Sequence, residues 1–265
     1  MIKFLKKIIT FFLDHLRTKK ITKVTQNNIE FIVETQDKLG EEWNLINDYD
    51  LSEFQIFKGM NIDKDQIKKV YYFGAHQCVI PIKIQKIFLD KSDFYCFEAI
   101  KRNYLIGNNN IAHNKCEDKV HLFNEALSTN NGHEYFDSVS MNSFKTQKKL
   151  LSTRVRSSDL ETVINRHGKG EILYFDIEGL EGQVLQKSIN FLKTWKNYLF
   201  IEAHGIELMK KYDFTNKKLF NLLKDNNYKI YKLSDNYQTN NEKFIKIDNS
   251  DNIPEKRCYL FAHNN

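Results

Sequence analysis

The sequence predicts an α/β fold: a doubly wound, mostly parallel, seven-stranded sheet. Three observations predict it. Short apolar runs recur along the 265 residues, helix-length segments separate them, and several runs end in a glycine or an acid. An apolar run of about four to eight residues bounded by turn residues reads as a strand buried on both faces, as parallel strands are.

Taken in order, Lys69-Val70-Tyr71-Tyr72-Phe73 runs into Gly74-Ala75-His76-Gln77 and then the apolar Val79-Ile80-Pro81-Ile82-Lys83-Ile84, which is strand, tight turn, helix. Phe94-Tyr95-Cys96-Phe97 is the second strand and ends in Glu98. Gly107 to Lys115, rich in asparagine, reads as a helix end and turn before the third strand, Val120-His121-Leu122-Phe123, which leads into Asn124-Glu125-Ala126. The fourth strand is Leu173-Tyr174-Phe175, and Tyr198-Leu199-Phe200-Ile201-Glu202-Ala203-His204 the fifth. Tyr228 to Leu233 and Arg257 to Ala262 read as a closing pair, including an antiparallel hairpin.

The fourth strand carries the densest signal. It ends in Asp176-Ile177-Glu178-Gly179-Leu180-Glu181, which places carboxylates at the end of a strand where open α/β sheets bind ligands. Glu98 lies 24 residues beyond Gly74 at the tip of the next strand, the spacing at which a carboxylate accepts hydrogen bonds from a ribose diol. A nucleoside-bearing cofactor follows from that spacing.

From about Tyr71 to Leu233 the chain resembles the FkbM family of S-adenosylmethionine-dependent methyltransferases. The resemblance rests on Gly74-Ala75-His76, Phe97-Glu98-Ala99, Ala126-Leu127-Ser128 with Gly132, Ser158-Asp159-Leu160, the D-x-E-G-x-E run from Asp176 to Glu181, and Ile201-Glu202-Ala203-His204. It implies a Rossmann-like class I methyltransferase fold and methyl transfer from S-adenosylmethionine to a hydroxyl of a sugar, glycan or related metabolite. Carried over by position, Gly74, Ala75 and His76 pass the methionine part, Glu98 holds the ribose, Asn124, Glu125 and Ala126 border the adenine, and Asp176 faces the methionine ammonium or the acceptor. His204, Asp176 and Glu178 are the expected catalytic groups, with His204 the first choice of general base because histidine titrates near neutral pH.

Each assignment has a plainer counterpart. Asp176 can cap the helix that follows, Glu178 and Glu181 can complement its dipole, and Glu98 and His204 can be ordinary strand-end residues. The first loop also departs from the family pattern D-x-G-A-N-x-G, with Tyr72, His76 and Cys78 at the aspartate, asparagine and second glycine positions. A catalytically degenerate binding or scaffold protein is therefore the alternative. A nicotinamide enzyme is disfavoured, because the loop lacks the G-x-G-x-x-G glycines that make room for a pyrophosphate. Asp176, Glu178, Glu202 and His204 include the ligand types of a divalent-metal site, but such groups often occur without metal, and none is expected.

Charge divides the chain. Residues 1–24 hold seven basic side chains against Asp14 alone, which is the whole formal charge of +6. The balanced remainder and the absence of any nucleic-acid-reading motif argue against nucleic acid as partner. Ile2, Leu5, Ile8, Ile9, Phe12, Leu13 and Leu16 fall at helical spacing, so the arm reads as a basic amphipathic helix. Such a helix lies on an anionic membrane surface, or docks on its own domain or on a second copy as a homodimer. Residues 25–64 read as a cover segment with a strand-like Ile29 to Val33, and 65–265 as the catalytic domain. Met141 to Leu150 reads as a solvated loop or as a lid or wall for the acceptor. Cys78, Cys96, Cys116 and Cys258 show no metal or disulfide spacing, which fits a reducing, cytoplasmic compartment, with membrane-peripheral attachment through the arm as an option.

Overall fold

The computed structural model describes residues 19–36, 41, 62–137, 145–148, 152–233 and 244–264. The proposed amphipathic arm lies largely outside them, as does most of the cover segment. The strands are β1 Lys20–Gln26, β2 Ile29–Thr35, β3 Lys69–Phe73, β4 Asp93–Phe97, β5 Val120–Phe123, β6 Ala126–Leu127, β7 Gly132–Asp137, β8 Lys145–Thr146, β9 Ser152–Ser158, β10 Ile172–Phe175, β11 Tyr198–Ala203, β12 Lys229–Leu233, β13 Phe244–Lys246 and β14 Cys258–His263. The longer helices are α1 Val79–Phe88, α2 Lys101–His113, α3 Leu160–His167, α4 Glu181–Leu192 and α5 Asn216–Asp225.

The main sheet has the order β13-β12-β14-β11-β10-β3-β4-β5. From β3 the chain steps outward through β4 to β5, then returns to β10 on the other side of β3, so the winding reverses between β3 and β10. The five strands from β5 to β11 are parallel, and β14 enters antiparallel between β11 and β12. This is a Rossmann-like, doubly wound α/β form, with β13 as an eighth strand on the edge where seven were expected.

Strand parity sorts the core into two faces. Tyr71, Phe73, Leu173, Phe175, Leu199 and Ile201 pack against α3, α4 and α5. Val70, Tyr72, Ile172, Tyr174 and Phe200 face the opposite way, toward α1 and the hairpin β1–β2. With both faces covered, successive side chains are all apolar, which is why these strands read as continuous runs. Tyr72 and Tyr174 stack at 4.2 Å with an interplanar angle of 7°.

Two expectations require correction. The boundary drawn after Val24 falls inside β1, so the arm's last residues are strand; their alternating pattern pairs with β2 across the Asn27-Asn28 turn. The helix end and turn expected within 107–115 are present, with α2 ending at His113, and Gly107 lies where an added Cβ would come within 2.5 Å of Leu122. Residues 126–158 hold a second sheet, β6-β9-β7-β8, that the sequence did not announce. β7 and β9 are largely polar, β6 and β8 are two residues each, and β9 pairs antiparallel with β7 and parallel with β6.

Candidate functional site

Register builds the site. Phe73 pairs with Phe97 and Phe175, Phe97 with Phe123, and Phe175 with Ile201. The residues that follow, Gly74, Glu98, Asn124, Asp176 and Glu202, therefore form one row at the carboxyl ends of five parallel strands. The reversal of winding between β3 and β10 puts Gly74 and Asp176 at the point where doubly wound sheets open a ligand crevice.

A cleft does open there, with a volume of about 660 Å³ when its mouth is counted. Gly74, His76, Glu98, Glu125, Ala126, Asp176 and Glu178 line it, so most of the sequence-chosen residues meet at one place. Phe97, Leu127, Phe136 and Leu180 supply an apolar wall, and Lys145 and Tyr212 a polar one. Phe136 and Lys145 come from the second sheet and Tyr212 from the segment after β11; no local pattern marks these three, because long-range pairing brings them in.

Three chosen residues are not on the wall. Ala75 is buried, its N–H donating to the Phe97 carbonyl at 2.9 Å. Asn124 turns its amide to the carbonyls of Glu98 and Ala99 at 2.9 and 3.0 Å and so holds the tip of β4 in place. His204 is 4% exposed and lies beneath the wall.

Gly74 has a sharper constraint than expected. At φ +91°, a Cβ added there would stand 1.7 Å from the backbone oxygen of Asp176. The glycine lets the ends of β3 and β10 meet, and the ligand gains its space only through that closure. In the same loop His76 and Cys78 also adopt positive φ, 49° and 60°. A non-glycine residue there costs roughly 1–2 kcal/mol. The Cys78 side chain is fully buried, as is nearly all of Tyr72, so these two of the three departures from the family pattern point into the core, while the third, His76, lines the cleft.

Glu98 is 4% exposed and spans the loop. Its two oxygens accept from the backbone N–H of His76 at 2.8 Å and of Ile100 at 2.7 Å. Burial pushes its carboxyl up to about 7, against those two hydrogen bonds. Glu125 has the opposite balance: burial raises it, but the bidentate Arg166 guanidinium and the Ser158 hydroxyl outweigh that and hold it below the usual carboxylate range. Its side chain is committed to holding α3 against the loop after β5.

The catalytic group chosen from the sequence forms one buried cluster. Asp176 is about one quarter exposed, and burial raises its carboxyl. Burial likewise brings Glu178 up to about 7, and its backbone sits at φ +56°. His204 Nδ1 is 3.0 Å from Glu181 Oε1, while Nε2 faces Glu178 at 3.4 Å and Asp176 and Glu202 at 3.7 Å each. Burial alone depresses an imidazole, but Glu181, Asp176 and Glu178 overcome it and lift His204 to about 9. His204 is not among the residues that line the cleft, and the carboxylates around it favour its protonated form, so the geometry leaves the general-base role that the sequence suggested to Asp176 and Glu178 on the wall. Glu181, read as a dipole partner, instead orients the imidazole, and it also accepts the N–H groups of Ile177 and Gly179. Arg257, which no motif indicated, reaches from the start of β14 to an ion pair with Glu202.

No protein-family model and no curated protein matches the chain. Solved structures resemble it in form. Precorrin-6y C5,15-methyltransferase from Geobacter metallireducens GS-15 is 9% identical, covers 83% of this chain and 90% of its own, and gives a TM-score of 0.45. Methyltransferase FkbM from Methylobacillus flagellatus KT is 10% identical over 80% of this chain with a TM-score of 0.46, and the match spans half of that protein. An O-methyltransferase of a trans-AT PKS multienzyme from Brevibacillus brevis, in complex with S-adenosyl-L-homocysteine, is 11% identical over 68% of this chain and 54% of its own, with a TM-score of 0.42.

Proposed function

We propose that the chain is an S-adenosylmethionine-dependent methyltransferase of the FkbM type, acting on a hydroxyl of a sugar, glycan or related metabolite. The observation that carries this reading is Glu98: a buried carboxylate at the tip of the second strand, on the wall of a cleft at the switch point, with Gly74 and His76 beside it. Each Glu98 oxygen has a second lone pair beyond the backbone N–H it accepts, which suits a pair of ribose hydroxyls.

The remaining donor set fits the same ligand. Phe97, Ala126 and Leu127 offer an apolar surface to a base, and Asp176 offers a carboxylate to an ammonium. When bound, S-adenosylmethionine supplies a methyl group on a sulfonium. The protein's part is alignment of the acceptor oxygen, and such positioning supplies roughly 7–11 kcal/mol. Glu178 and Asp176, both on the cleft wall, are the groups that receive the acceptor's proton, a contribution of about 10²–10⁴-fold. Tyr72 and Cys78 supported the degenerate alternative; their burial away from the cleft supports a competent pocket.

Calorimetric titration of the purified chain with S-adenosylmethionine, its demethylated product and NAD tests the reading. Binding of the first two but not NAD is expected, and Glu98→Gln should weaken both by tenfold or more while circular dichroism stays unchanged. Equal affinity in Glu98→Gln, or no binding to wild type, would remove the assignment.

A further inference from the structure

We propose that Asp176, Glu202 and His204 form a divalent-cation site at the ends of β10 and β11, with Glu181 as the group that aims the imidazole. Sequence reasoning expected no metal here. One ligand atom from each of the three residues lies within 4.8 Å of the other two. Around His204 Nε2 the carboxylate oxygens of Glu178, Asp176 and Glu202 stand at 3.4, 3.7 and 3.7 Å. A cation with bonds of about 2.0–2.2 Å has ligands roughly 3.0–3.5 Å apart along the edges of its shell, so the histidine–carboxylate distances need contract by only a few tenths of an ångström, and a pair as wide as 4.8 Å by about an ångström, for the site to close.

Two further features point to a cation in place of simple ion pairing. Metal-bound histidines characteristically donate their other ring N–H to a carboxylate, which fixes the ring and makes it a better ligand. Glu181, fully buried, holds Nδ1 in that way and leaves Nε2 facing the three carboxylates. Glu202 is 1% exposed and, among the described residues, is met only by the charges of Arg257 and His204, while Glu178 Oε2 and Glu181 Oε2 accept no hydrogen bond. A buried carboxylate without donors is costly unless a cation stands against it.

The cation that now faces Glu202 is the half-exposed Arg257 guanidinium, which solvent can take up when a metal arrives. Four carboxylates share one imidazole and one guanidinium, leaving an excess of negative charge for a metal to offset. An imidazole among carboxylates suits Mn²⁺ or Zn²⁺ better than Mg²⁺ or Ca²⁺, which prefer oxygen-only shells. Asp176 and Glu178 also line the cleft, so an open coordination position would face a hydroxyl-bearing acceptor. That last role rests on the methyl-transfer reading; binding of the cation does not.

The test uses the full chain, stripped with EDTA and desalted, and titrated with MnCl2, ZnCl2 and MgCl2 by calorimetry, with Mn²⁺ also followed by loss of the free-ion EPR signal. One Mn²⁺ or Zn²⁺ per chain is expected, with Mg²⁺ at least tenfold weaker. Glu202→Gln and His204→Ala should abolish binding, Glu181→Gln should weaken it about 10- to 100-fold, and Asp65→Asn, on the far surface, should leave it unchanged. Because the buried variants risk misfolding, the partly exposed Asp176→Asn is a second probe and should also weaken binding. Absence of a stoichiometric site in wild type overturns the proposal, as does undiminished binding in a folded Glu202→Gln or Asp176→Asn. S-adenosylmethionine binding is measured separately, so a chain that holds Mn²⁺ but not S-adenosylmethionine keeps the site and sinks the methyltransferase reading.

Discussion

Gly74→Ala separates two reasons for a glycine that are usually merged. Gly74 and Gly132 both have positive φ, +91° and +130°, but a Cβ at Gly132 meets nothing within 4 Å, whereas at Gly74 it would stand 1.7 Å from the Asp176 carbonyl oxygen. Gly132→Ala therefore carries backbone strain alone, about 1–3 kcal/mol. In Gly74→Ala the neighbour is backbone, fixed by the Asp176 N–H bond to the Phe73 carbonyl at 2.9 Å, so the ends of β3 and β10 must part by more than 1 Å to restore contact distance. Added to the strain, that displacement places the loss above about 4 kcal/mol, in the range reserved for disrupted cores. For a domain of this size about 1 kcal/mol shifts the melting temperature by about 2–4 °C, so Gly74→Ala should melt at least about 8 °C below wild type and clearly below Gly132→Ala. Urea denaturation of the three proteins measures the difference directly. Equal losses in the two variants would refute the argument that strand closure, and not φ, fixes Gly74.

Further outcomes follow from single groups. With its carboxyl raised from 4.5 to about 7, Glu98 favours folding most below pH 4.5, loses that advantage as pH rises to about 7, and contributes a constant effect above. If its ionised form holds the ribose, affinity for S-adenosylmethionine should be flat above about pH 7 and fall toward about tenfold per pH unit below it; Glu98→Gln should abolish the slope in calorimetry. Asp159 caps α3 by accepting the Thr162 N–H at 2.9 Å, so Asp159→Ala should lower stability by about 0.5–2 kcal/mol in urea. The Asp159 carboxyl is held down to about 2, against burial, chiefly by Lys187 and Thr162, so its stabilisation is full above pH 3.8 and disappears as pH falls through about 2. Asn110, fully buried, joins β2 to the first loop through Glu34 N–H, Glu34 O and Gln77 O. Asn110→Ala should cost roughly 2–4 kcal/mol and speed amide exchange in β1 and β2; unchanged exchange would show that the hairpin is held otherwise.

The parallel strands were legible because their evidence is local. Val70 to Phe73 and Ile172 to Phe175 must be apolar at every position when both faces are covered, and that property stands in the sequence whatever the partner. The row of acids at the strand ends was legible for the same reason: Glu98 and Asp176 each follow directly on an apolar run. The polar second sheet was not, since Val155 and Phe136 gain their meaning only from pairing across the 126–158 segment.

By itself, then, the sequence determined the parallel strands of the main sheet and the residues that end them, because periodicity and turn chemistry act over a few neighbouring residues. Tertiary structure alone decided what those end residues do. His204, chosen as a base for its ordinary titration range, becomes a buried cation because Glu181, Asp176 and Glu178 converge on it from another strand and helix. Gly74 is fixed by the carbonyl of Asp176, a residue about a hundred positions away. Charge and contact act through space, so these roles arise only once the strands have been brought side by side.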